Sequence, residues 1–361
     1  MRLDPARVPL LNRGQRAVTV RCALAAASGL ALLLAAGCGS SGSPGGAVSS
    51  PVVIAAVPGV SDAAIYLAQK DGLFAAEGLS QVRIQSYANQ AAVITALQTA
   101  HADIAASDYG NVFYTQSQSH DLRILADGYD ATAGSLEILT YPGSDIRTPA
   151  DLTNPQANPK LQIAVPSDDW LDVKNSSAAG SLDAAAAREV LSNYVGSAAD
   201  LVNWLPMTQQ QEVRELESHQ LQAILVSEPY IYQAESKLGA VEVLDACSGE
   251  TAGLPLLGYV ALNAWVRQNP GAVSDFQAAL AKAQAEASLA GQVQPVLHSD
   301  ANMNVQDADL ITVGSYPTST SIQSLQGVVL LMSNENMINP LTDNVTAKRL
   351  NINSLVVKPQ G

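Results

Sequence analysis

The chain has 361 residues, 47% of them apolar and 14% charged, with a net charge of −14. That length exceeds one small domain and suits two of ordinary size, with ample apolar content for their cores. The acidity argues against nucleic acid as a partner and against a chain lying flat on anionic lipid.

The N-terminus reads as an export signal. Arg13, Arg16 and Arg21 form a positive region, and Ala23 to Ala36 is an apolar run too short for a comfortable membrane span. The run ends in Ala35-Ala36-Gly37-Cys38, small residues leading to a thiol, as in a bacterial lipoprotein lipobox. Residues 1–37 are therefore a predicted signal peptide. Cys38 is the predicted lipidated N-terminus, and residues 38–50, rich in Gly and Ser, form a flexible leash. The first 37 residues carry five Arg and one Asp, so their removal takes the net charge to −18. Cys38 and Cys247 are the two cysteines left, and acylation of the first leaves the second without a disulfide partner.

From Pro51 onward, short apolar strands alternate with amphipathic helices. Val52 to Ala56 is a predicted strand. Ser61 or Asp62 caps a helix over Ala63 to Lys70, and Gly72 stops it. Val82, Ile84 and Ser86 alternate as a strand, and Asn89 opens a helix with Val93, Ile94 and Leu97 on one face. Asp103 to Ala106 is a strand followed by a helix starting at Ser107 or Asp108, and Leu122 to Ala126 is a further strand. This order predicts an α/β domain with a mostly parallel sheet.

The pattern then restarts. Leu136 to Thr140 and Leu161 to Val165 are predicted strands, and Ser181 to Val195 is an Ala-rich helix. Strand Leu201 to Leu205, helix Gln209 to Glu217, strand Ala223 to Val226 and helix Tyr230 to Leu238 follow. Leu257 to Leu262 is the last strand before a mainly helical tail, Pro270 to Leu331, broken at Tyr316-Pro317. The doubling, with Leu136–Thr140 and Leu257–Leu262 as crossover strands, predicts two α/β lobes joined by a two-strand hinge. Residues 51–137 plus 260–361 make the first lobe and 138–259 the second.

Ser61 to Leu79, which contains Gln69-Lys70-Asp71-Gly72-Leu73-Phe74 and Gly78-Leu79, resembles the opening of ABC-transporter substrate-binding proteins. The closest group is the nitrate/sulfonate/taurine and thiamine-precursor family, called SsuA-like. Gln69 departs from the Lys frequent at its position there. Four more phrases agree in order: Ala96-Leu97 to Asp103-Ile104-Ala105, Thr148 to Leu152, Val226 to Tyr230, and Gly258-Tyr259-Val260 with Asn269-Pro270. The resemblance covers about Val52 to Pro340. It implies a periplasmic-binding-protein type II fold that closes on a small polar organic solute, sulfonate- or thiamine-precursor-like, and delivers it to an ABC permease with a separate ATPase subunit. The protein would be a monomer, lipid-anchored on the extracytoplasmic face of the cell membrane, with no cofactor. A solute-sensing lipoprotein for a membrane receptor is an alternative role, because it too needs a closing clamp.

Ligands of open α/β sheets gather at the carboxyl ends of strands, where helix N-termini offer free N–H groups. That rule selects Ser61, Asp62, Gln90, Ser107, Asp108, Trp170 and Glu228 as the candidate ligand-binding set. Most of these are also good helix caps. Gln90 follows a cap instead of serving as one. Glu228 stands just after an apolar strand, where its charge needs a partner, either a ligand donor or a cation such as Lys174. Tyr109, Trp170 and Tyr230 are candidates to stack on a flat solute.

Catalytic signals are weak. His101, His120, His219 and His298 are scattered, and neither a paired-cysteine metal motif nor a Gly-x-Ser-x-Gly elbow occurs. Asp168–Asp169 reads as a solvated loop. A thiamine-pyrimidine-synthesis enzyme is the one catalytic alternative, and its Cys-rich stretch is missing here. A binding protein without catalytic residues or metal ligands is the expectation. Intact-mass analysis of membrane-extracted protein should find a chain that begins at Cys38 and carries added acyl mass. Soluble, unacylated protein would contradict the lipobox reading.

Overall fold

A computed structural model describes residues 51–118, 120–154, 161–167, 171, 180–289, 291–300, 303–340 and 343–359. The signal peptide, the leash, Cys38, Trp170, Lys174 and Asp168–Asp169 lie outside the described residues. Ten strands form two five-stranded sheets. The first contains β1 (Val52–Ala56), β2 (Val82–Ser86), β3 (Ile104–Asp108), β4 (Leu122–Asp130) and β10 (Pro255–Leu262), in the order β2-β1-β3-β10-β4. The second contains β5 (Leu136–Thr140), β6 (Gln162–Pro166), β7 (Asn203–Met207), β8 (Ala223–Ser227) and β9 (Val241–Asp245), in the order β7-β6-β8-β5-β9.

Among the described residues, seven helices have eight or more residues. They are α1 (Ala63–Lys70), α2 (Gln90–Gln98), α3 (Tyr109–Ser117), α4 (Leu182–Val195), α5 (Gln209–Glu217), α6 (Pro270–Ala287) and α7 (Ile322–Asn334). None of the described helices is long and apolar enough to cross a membrane.

Each sheet holds one reversed strand. β10 runs antiparallel to both β3 and β4, while β1 is parallel to β2 and β3. β5 runs antiparallel to both β8 and β9, while β6 is parallel to β7 and β8. The chain passes to the second sheet between Asp130 and Leu136 and returns between Asp245 and Pro255. The anticipated divisions at 137/138 and 259/260 thus fall inside β5 and β10, each of which lies wholly in one sheet.

Strand β9 was not anticipated, because Val241-Glu242-Val243-Leu244-Asp245 is short and half charged. The strand expected over Leu201–Leu205 begins two residues later. Gly196, at a positive φ, ends the preceding helix, and Gly196–Leu201 follows it as a separate 3₁₀ segment. Tyr230–Leu238 is a short α-turn that widens into a π-turn over Ala234–Leu238. The tail continues beyond Leu331 into short helices Asn344–Arg349 and Ile352–Leu355.

The tail covers the outer edge of β4, which would otherwise offer unpaired backbone groups. Val357 N donates to the Ile124 carbonyl at 2.8 Å. On α6, Gln277 donates to the Leu125 carbonyl at 2.6 Å and Gln284 to that of Asp127 at 2.7 Å. At the centre of the sheet, the Tyr109 ring lies across Gly258 of β10, and its hydroxyl donates to Asp127 of β4 at 3.1 Å. A Cβ on Gly258 would overlap the Tyr109 phenol. Gly258→Ala is expected to cost about 1–3 kcal/mol through this overpacking, read as a lower urea midpoint with an unchanged slope. A midpoint equal to the wild type would show that the ring has room to move.

Candidate functional site

The carboxyl ends of the parallel strands in both sheets open onto one cavity of about 680 Å³. In the first sheet β1 leads into Val57-Pro58-Gly59-Val60-Ser61, β2 into Ala88 and Gln90, and β3 into Asp108, all on the cavity wall. In the second sheet β7 leads into Thr208 and Gln209, and β8 into Ser227, Glu228, Pro229 and Tyr230. Leu182 and Asp183 at the start of α4, Lys237 beyond β8, and Met303, Asn304 and Asp307 from the tail complete much of the wall. A volume of this size falls within the range of about 300–1,000 Å³ typical of small-molecule sites.

Four helices reach this region with their first turns already capped. Asn89 accepts from Ala92 N at 2.9 Å, Asp108 from Asn111 N at 2.7 Å, Ser181 from Ala184 N at 3.1 Å and Thr208 from Gln211 N at 3.3 Å. These bonds consume donors that a helix N-terminus would otherwise present to a ligand. The β1–α1 loop is held from behind, where the Tyr316 hydroxyl donates to the Val60 carbonyl at 2.5 Å.

Of the residues selected from the sequence, Ser61, Gln90, Asp108 and Glu228 line the cavity. Asp62 and Ser107 are wholly buried behind the wall. Among the described residues neither Asp62 oxygen meets a protein donor, and burial pushes its carboxyl well above the ordinary range. The hydroxyl of Tyr259 is buried without a hydrogen-bond partner among the described residues as well. Tyr109 packs on Phe113 in the core and does not line the cavity, whereas Tyr230 does.

Among the described residues, Glu228 finds its partners in the backbone. Its carboxylate accepts from Tyr232 N at 3.1 Å and from Thr312 N at 2.9 Å, which ties the end of β8 to the tail. Burial still raises its pKa, against those two bonds. Lys237 lies 3.8 Å from Asp307, a second contact between the same two segments. Asp183, Lys237 and the tail residues were missed by sequence reasoning. A strand-end rule selects residues next to strands, and the tail reaches the wall from far along the chain.

Beside the cavity residues Ser135 and Leu136, Glu137 is buried with one oxygen unmet by any protein donor. Burial first, then the charges of Glu242, Glu235, Asp245 and Glu228, push its carboxyl up to about 8. Such a group stays protonated in the folded chain while the unfolded chain ionises. Its contribution is full below the ordinary pKa of 4.5 and is lost as pH rises through about 8.

Residues 61–156 match a family model described as NMT1/THI5 like. The match starts at Ser61, where the phrase Ser61 to Leu79 starts, and runs past Thr148 to Leu152. No curated protein sequence matches the chain. Among solved structures, the alkanesulfonate-binding protein SsuA from Xanthomonas axonopodis pv. citri, bound to MOPS, is similar. Identity is 14%, coverage is 85% of this chain and 98% of that one, and the TM-score is 0.62. The periplasmic nitrate-binding protein NrtA from Synechocystis PCC 6803 is 13% identical over 85% of this chain and 86% of its own, with a TM-score of 0.62. The ligand-binding component of an ABC-type import system from Staphylococcus aureus, with zinc bound, is 13% identical over 81% and 94%, with a TM-score of 0.63. At these identities the likeness is one of fold. The chain has the α/β periplasmic-binding-protein fold, and its resemblance to the SsuA-like group stands.

Glu137→Gln should leave the urea midpoint almost unchanged at about pH 4.5 and raise stability at about pH 8 by on the order of 2 kcal/mol. A variant that is less stable than wild type at both pH values would show that Glu137 is folded as the anion.

Proposed function

We propose that the protein is an extracytoplasmic solute-binding protein that captures one small polar organic solute in the cavity and delivers it to an ABC permease. The observation that carries this reading is the cavity itself, built from strand ends of two sheets that two chain passages connect. On this reading the sheets mark two lobes. Contacts to both lobes let a solute shift the population toward a closed state without chemical turnover. The lipobox at Cys38 supports a lipid tether, and the acylated, monomeric chain would present its cargo at the outer face of the membrane.

Of the two solute classes implied by the sequence, the acidic wall favours a nitrogen-bearing, thiamine-precursor-like solute over a sulfonate. Among the described lining residues are Asp108, Asp183, Glu228 and Asp307, with Lys237 as the one cation. Sensing for a membrane receptor would use the same clamp, and thiamine-pyrimidine synthesis finds no support in the described wall.

Small-angle scattering of the soluble chain should show compaction when a solute that raises the melting temperature is added. The same solute should bind Gln90→Ala about tenfold more weakly, through loss of one buried hydrogen bond of roughly 1.5 kcal/mol. A melting shift without compaction would remove the closing clamp. Unchanged affinity in Gln90→Ala would move the site elsewhere.

A further inference from the structure

Gln209 is the first residue of α5 and stands half-buried on the cavity wall. Thr208 caps that helix, which leaves the Gln209 side chain to reach past the end of β6 to Ser227, the last residue of β8. There its Oε1 accepts from Ser227 N at 2.8 Å and from the Ser227 hydroxyl at 3.2 Å. A backbone N–H can only donate, so this contact fixes which end of the amide is oxygen. Turning the amide over would set two donors against each other. An amide oxygen has two lone pairs, and Ser227 takes both. The amide nitrogen, Nε2, meets no acceptor among the described residues and, unlike the side-chain oxygen of Gln90, is not sealed from solvent.

Toward the cavity, Gln209 is therefore a donor only. We propose that Gln209 is a specificity-determining residue, a fixed N–H donor that selects a solute carrying a carbonyl oxygen, of an amide or of a carboxylate. Ser227 holds the donor in place before the solute arrives, so little side-chain freedom is lost on binding. A site built around a fixed hydrogen-bonding group discriminates strongly against analogues that lack its partner. The role assigned to Gln209 rests on the reading of the cavity as the solute site. It also narrows that reading: the nitrogen-bearing solute must carry an acceptor besides its N–H groups, and a plain alkylammonium does not.

Calorimetric titration of the full chain with benzamide, benzoate and benzylammonium tests it, since the three probes share a ring and differ in the polar group. The wild type should bind benzamide, benzoate or both, and the tighter of the two tells an amide acceptor from a carboxylate. Gln209→Glu keeps an oxygen for Ser227 N and turns the cavity-facing end from donor to acceptor. Gln209→Met has no donor at all. Each variant should weaken the carbonyl probes about tenfold or more without weakening benzylammonium. A urea midpoint near that of the wild type in either variant separates this loss from unfolding. Unchanged preference between the carbonyl probes and benzylammonium in both variants overturns the role of Gln209. Failure of both carbonyl probes to bind the wild type overturns it too. In that case, compaction by any other solute shows that the clamp reading survives, and lack of compaction by every solute shows that it fails as well.

Discussion

Each sheet holds in its interior a reversed strand that follows a crossing of the chain, and the rest of the architecture follows from those two passages. β5 is the first strand after the outward passage and β10 the first after the return. Each inserts antiparallel between strands that are parallel to each other. The first sheet cannot form from one continuous stretch of chain, since it waits for β10 to lie between β3 and β4, whereas the second is built wholly from residues 136–245. The packing at that place is correspondingly tight. Gly258 lets the Tyr109 ring cross the strand to reach Asp127, and no larger residue fits under it. The same ring belongs to the first residue of α3, next to Asp108 on the cavity wall, so core packing and site geometry share one residue pair.

Parallel strands direct all their carboxyl ends one way, and this is why one cavity collects loops from both sheets. The caps then decide its chemistry. A helix N-terminus is an anion site when its N–H groups are free, yet here Asn89, Asp108, Ser181 and Thr208 each take one. Two of these helix starts also carry a carboxylate, Asp108 and Asp183. Glu228 shows how such charge is tolerated close to the protein interior. Two backbone N–H groups hold it, and one belongs to the tail. The tether makes the tail part of the wall.

Much of the fold was legible because its strands are apolar runs with clear stops. Val52–Ala56 and Leu136–Thr140 fall where the pattern placed them. β9 was invisible because its exposed, charged face dilutes the apolar signal, and β7 starts later than its pattern suggests because a 3₁₀ segment, Gly196–Leu201, takes up Leu201. At the site, Ser61, Gln90, Asp108 and Glu228 were legible as strand-end residues. Asp62 and Tyr109 share that address but turn into the core, since position next to a strand end does not say which way a side chain points. Lys237 and Asp307 come together only through tertiary folding, and no spacing in the chain announces them.

The central claim is that one solute touches both sheets at once. Hydrogen exchange with and without saturating solute tests it most directly. The account predicts slowed exchange in residues 57–61 of the first sheet's loops and in residues 227–232 of the second's, together with the tail around 303–308, at the same solute concentration. Protection confined to the loops of one sheet, with the other unchanged, would contradict it.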